Sequence, residues 1–286
     1  MQIQPIQGLA AIKGINEREA RPTVKLEQGQ LEGVKRVEID LRSHTTGREL
    51  PADAIQHNSA RMFFSPDINH TLDTLLSGPS EQVQDAVYGL FEKNFFSGDS
   101  SLTDEDRAGL LEMGLSQAKL LADKFMNASD AAVFTDTVKL LGALAKTRGV
   151  DSGTGAITYA ELPQKPIGAP DDYVNAGEMM KQFDPEGYRK MQAAILSGDN
   201  AGGMLIAFAK KLRQNPEWSK EYLQDRQAFM EGLHNTKLPN RFEEASTDSL
   251  ADFVSDMNRL LDEAYESGSS LLKENLRSFA ALIEGI

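Results

Sequence analysis

SPDINHTLDTLLSGPS, residues 65–80, is the stretch that decides the fold. Ser65 is an N-cap residue, and Pro66 occupies the first helical position, where a missing N–H leaves nothing unpaired. Ile68, Leu72, Leu75 and Leu76 recur at helical spacing on one face, Gly78 stops the run, and Ser80 opens the next helix. The same punctuation continues along the chain. Val83, Val87, Leu90, Phe91 and Phe95 form the second apolar face. Thr103 caps a third helix with Asp104, Glu105 and Asp106 in its first turn, where the helix dipole favours negative charge. Its predicted face is Leu110, Leu111, Leu115, Ala118, Ala122 and Phe125. Ser129 is read as the cap of a fourth helix burying Val133, Phe134, Val138, Leu141 and Leu144. Asp184-Pro185 and Asn215-Pro216 repeat the cap-plus-proline start, with a turn between helices over residues 197–203.

Outward from this core the pattern changes twice. Toward the N-terminus, Val37, Ile39 and Leu41 alternate with Glu38, Asp40 and Arg42, the period of a half-buried strand. Val24 and Leu26 supply its partner across Gly29 and Gly33, so a small N-terminal β-hairpin is expected. In the middle, Gly149, Gly153, Gly155, Pro163, Pro166, Gly168 and Pro170 break the helical period, and a connection of this kind is functional or a linker. At the C-terminus, Leu250, Phe253, Val254, Met257, Leu260, Leu261 and Ala264 hold one stripe that resumes after Gly268 through Leu272, Leu276, Phe279, Leu282 and Ile283. Unbroken, this is a helix on the order of 50 Å long; bent at Gly268, it is a helical hairpin. No tandem repeat at a solenoid period is present.

The expected organisation is mainly α, a multi-helix bundle of about eight to ten helices with a small N-terminal β-hairpin. Residues 1–22 read as a flexible arm, 23–60 as the hairpin region and 61–148 as a first helical region. Residues 149–170 read as a Gly/Pro-rich loop or linker, and 171–286 as a second helical region ending in a long helix or helical hairpin.

Composition narrows function by exclusion. The chain carries 43 Asp+Glu against 30 Lys+Arg, a net charge of −13. So negative a surface repels phosphate backbones and anionic membrane faces, and suits a basic partner, a cation or simple solubility. No cysteine is present, which removes disulfides, thiolate metal sites and cysteine nucleophiles together. No run approaches the roughly 20 apolar residues of a membrane span. The first twenty residues lack the basic start and apolar run of a cleavable signal peptide, so the expected location is cytoplasmic, or outside the cell by a route that needs no such signal.

Motifs for catalysis are missing. His44, His57 and His70 are spaced too widely for a helical or hairpin ligand pair, and His234 stands alone. There is no G-x-S-x-G elbow, no H-E-x-x-H and no phosphate loop with its lysine. Trp218 reads as a helix anchor, and Met179, Met180, Met191 and Met204 as core filling or an adaptable groove.

The run from Gly155 to Leu162 resembles the second half of an EF-hand calcium loop: glycine at the bend, Ile157 two residues later, and Glu161 where the bidentate carboxylate sits. That resemblance implies Asp151, Ser152, Thr154 and Glu161 as metal ligands and calcium as the one cofactor to consider. The loop departs from the pattern at its first position, Val150, and Pro163 opposes an exiting helix. A second acidic loop, residues 98–106, is explained by a turn running into the Thr103 cap.

Three functions follow as expectations. The first is a non-enzymatic interaction or structural protein with a protein partner, of bacterial type and exported without a cleaved signal. The second is a calcium-responsive protein, and the third an enzyme whose site is assembled from distant residues.

Overall fold

The computed structural model describes residues 58–150, 156–170, 172–265 and 269–285. It is mainly helical. After a single turn, α1 (Asn58–Arg61), come α2 (Pro66–Leu75) and α3 (Glu81–Leu90). The latter runs directly into a π-helical turn, Phe91–Phe95. Next are α4 (Asp104–Phe125), α5 (Ala128–Ala145), α6 (Ala176–Phe183), α7 (Pro185–Ser197), α8 (Gly202–Gln214), α9 (Glu217–His234), α10 (Leu250–Ala264) and α11 (Ser270–Glu284). Two short strands, β1 (Gly149–Val150) and β2 (Ile157–Thr158), pair antiparallel with Gly149 opposite Thr158.

Side-chain hydrogen bonds close several of the helix starts. Ser65 Oγ accepts from the Ile68 N–H at 3.3 Å, and Thr103 forms a reciprocal capping box with Asp106. Asp184 receives the Gly187 N–H at 3.3 Å, and Ser249 receives that of Asp252 at 3.0 Å. Two caps differ from expectation. Asn215 closes α8 instead of capping α9, whose cap position is Pro216 with no side-chain hydrogen bond. Asn127, not Ser129, caps α5, because its amide oxygen accepts from both the Ser129 and Asp130 N–H groups.

The expected N-terminal hairpin lies outside the described residues. The pairing seen among them falls instead in the Gly/Pro segment read as loop. There, the residues flanking a glycine-rich stretch can close into a short ladder that its prolines, all further along, do not interrupt.

The main core gathers α2–α5 and the π turn with the α10–α11 hairpin. Helix α4 is its axis and packs on α3, the π turn, α5 and α11. Its burial is therefore wider than one stripe. Met113, Leu120 and Leu121 are fully buried, whereas Leu111, Leu115 and Phe125 of the predicted face are half-buried. Val133 of α5, predicted inside, is exposed. The C-terminal stripe is two helices in contact, not one rod.

A second, smaller cluster gathers α6–α9 around Met179, Met180, Met191, Phe208 and Tyr222. Trp218 stacks on Phe183 at a centroid distance of 5.2 Å, which anchors α9 to α6. The methionines fill this core. Leu233, at the end of α9, belongs to the main cluster and ties the two together.

Candidate functional site

Of the predicted metal ligands, only Glu161 lies among the described residues. Glu161 is exposed, and its carboxylate takes the Lys181 ammonium at 2.7 Å. Asp151, Ser152 and Thr154 lie outside the described residues, as do His44 and His57. No helix follows Glu161 until α6. His70 is exposed on α2, and the His234 ring lies 3.0 Å from the Met230 carbonyl of its own helix. The described residues contain no group of three histidine or acidic side chains placed to hold a metal. Asp99 accepts from the Ser101 backbone and hydroxyl at 2.8 and 2.6 Å, a local turn that leads into the Thr103 cap.

Three polar arrangements invisible in the sequence stand among the described residues. The first fastens the segment after α9 to α4. Arg241 Nε donates to Glu112 Oε2 at 2.6 Å, its Nη1 to Glu105 at 2.7 Å and its Nη2 to the Tyr265 hydroxyl at 2.9 Å. The guanidinium also lies 5.0 Å from the Tyr265 ring centroid. The Glu112 hydrogen bond raises the Arg241 pKa, and Arg241 in turn holds Glu105 below the usual carboxylate value. Ser116 donates to the Phe242 carbonyl at 2.9 Å, so Phe242 is pinned while its ring is buried. These bonds hold the fold.

The second is a buried amide cluster at the π turn. Asn94 Nδ2 donates to the Leu110 carbonyl at 3.0 Å and to Gln117 at 3.2 Å. Gln117 donates to Asn275 at 3.0 Å, and Asn275 donates back to Asn94 at 3.0 Å. Every amide has a partner on another element. A π turn places one extra residue in a helix and re-aims the side chains beyond it, which is how Asn94 reaches α4 and α11.

The third is a cavity of about 340 Å³ between α4, the end of α5 and the segment carrying Tyr159. Phe95, Leu110, Leu111, Ala145 and Pro239 give it an apolar wall; Arg107, Lys146 and Arg148 bring three cations. A broader cleft of about 870 Å³, between α4, α5 and the segment after α9, is lined by mixed charges, with Lys119 already paired to Asp123 at 2.7 Å.

The surface feature that stands apart is the α7–α8 hairpin. Gly198 adopts a left-handed conformation (φ 76°) and turns the chain between the helices. Around that turn Ile195, Leu196 and Ile206 are 55%, 87% and 63% exposed. Helix α8 buries Phe208 alone, and α7 only Met191 and Ala194. The hairpin is basic in an acidic protein: Arg189, Lys190, Lys210, Lys211 and Arg213 face only Glu186 and Asp199 over residues 185–214. Lys190 is paired with Glu186 and Lys211 with Asp184, while Arg189, Lys210 and Arg213 form no ion pair among the described residues.

No family model matches the chain, and no curated protein and no solved structure matches it either.

Proposed function

We propose that the protein is a non-enzymatic interaction protein that docks a protein partner on its α7–α8 hairpin, and that the partner presents an acidic segment bearing apolar side chains. The observation carrying this reading is the exposure of Ile195, Leu196 and Ile206 about one turn of chain. Scattered exposed aliphatics are ordinary, but three on one hairpin that also carries unpaired cations have the composition of a binding patch. Charge complementarity sets the partner's sign. The basic hairpin attracts carboxylates, and the remaining, acidic surface repels them elsewhere, so both docking position and encounter rate are electrostatically steered. Among the described residues no helix is long and apolar enough to cross a membrane.

The test places a photo-crosslinking residue at Ile206 in cells that make the protein, with Asp262 on α10 as the control position. The expected result is an adduct specific to Ile206 that maps to an acidic segment of one partner and disappears in the Leu196→Glu variant. Equal labelling from both positions, or adducts only between copies of this chain, would overturn the reading.

A further inference from the structure

We infer that the cavity between α4, α5 and Tyr159 is a binding site for a small organic carboxylate with an apolar body. Arg107 enters from the first turns of α4, and Arg148 from the residue before β1. Arg107 gives one nitrogen to Asp104 at 2.9 Å, but its Nη1 is buried and has no partner among the described residues. The same holds for Nε of Arg148. An unsatisfied buried donor is costly, and a donor on a cation more so, so two at one cavity call for an anionic acceptor. Two guanidinium groups offering N–H donors suit the paired oxygens of a carboxylate.

The surroundings select the ligand further. With Glu112 paired to Arg241, Arg107, Lys146 and Arg148 stand against Asp104 alone, so the lining is net positive and suits an anion. Lys146 is held by the Lys237 carbonyl at 3.0 Å, and Glu112 by Arg241, so Arg107 Nη1 and Arg148 Nε are the donors left to bind. The wall of Phe95, Leu110, Leu111 and Pro239 is apolar, and the volume of about 340 Å³ falls at the lower end of small-molecule sites. A hydrated ion would leave that wall wet; a carboxylate on an aromatic or aliphatic body covers it. The Tyr159 ring packs on Phe63 and Phe96 at 4.8 and 5.1 Å, which fixes one side. Burial raises the Tyr159 pKa, so its hydroxyl stays protonated, and the Arg148 guanidinium rests against it.

Isothermal titration of the full chain with 3-phenylpropionate tests this, with 3-phenylpropionamide, acetate and inorganic phosphate as separate probes. The expected result is saturable binding of phenylpropionate at millimolar concentrations or below, weakened about tenfold or more when the amide replaces the acid, with acetate weaker than phenylpropionate. The Arg148→Gln variant should lose the preference for acid over amide. The amide comparison leaves the protein unaltered, so it stands even if that variant folds poorly. Absence of phenylpropionate binding, equal affinity for acid and amide, or tighter binding of phosphate would each overturn the assignment; the first would mean that water alone satisfies the arginines.

Discussion

Arg241 and Glu112 meet twice on one oxygen: Glu112 Oε2 accepts the Arg241 backbone N–H at 3.0 Å and its Nε at 2.6 Å. Glu112 is almost wholly buried in α4, and the Arg241 side chain is 36% exposed. Removing one partner of a buried pair costs about 3–5 kcal/mol, and the partial exposure of Arg241 reduces that. Glu112→Ala is expected to lower the unfolding free energy by about 2 kcal/mol in urea denaturation. The double variant Glu112→Leu, Arg241→Met should lose less than the sum of its single variants, because it strands no charge.

The amide cluster predicts coupling across the fold. Asn94→Ala and Asn275→Ala should each cost about 1–3 kcal/mol, since each leaves buried partners unsatisfied. Their double variant should fall short of additivity by more than about 0.5 kcal/mol, measured by the same denaturation cycle.

Gly114 predicts a steric result. A Cβ there would lie 2.7 Å from the Phe95 ring and 2.9 Å from Asn94 Cβ, closer than packed atoms approach. Gly114→Ala should therefore destabilise by about 1–3 kcal/mol despite alanine's better helix propensity. Gly232 in α9 has nothing within 4 Å of the same position, and Gly232→Ala should stabilise by about 0.5–1 kcal/mol. Thermal melting of both variants checks the pair.

The capping box of α4 predicts an acid limb. Hydrogen bonds from the Thr103 hydroxyl and backbone N–H hold the Asp106 carboxyl below its ordinary value of 3.8. A group depressed in the folded state stabilises above its unfolded pKa and ceases to do so as pH falls through the folded one. The stability gap between wild type and Asp106→Asn should thus be full near neutral pH and close below about pH 4. Thr103→Ala should cost about 1 kcal/mol at neutral pH. Urea midpoints measured from neutral to acid pH decide both.

The parts of the fold legible in the sequence are those set by neighbours a few residues apart. Ser65, Thr103 and Asp184 announce their helices because a cap acts within one turn. The stripe from Leu250 to Ile283 leaves one rod or a hairpin open, and only the ends of α10 and α11 decide for the second. The π turn is not legible, because it takes its meaning from Gly114 on α4, against which Phe95 packs. Asn94 and Asn275 bond across 181 residues of sequence, and no local pattern records that. The cavity is not legible because Arg107 and Arg148 come from different elements. Exposure of Ile195, Leu196 and Ile206 is likewise a tertiary property that their own spacing does not record.

Hydrogen–deuterium exchange of the full chain, with and without the partner recovered by crosslinking at Ile206, tests the docking proposal most directly. The account predicts added protection confined to α7, α8 and the turn between them, lost in Leu196→Glu and weakened by salt. Protection centred on α10 and α11, or none at all, would contradict it.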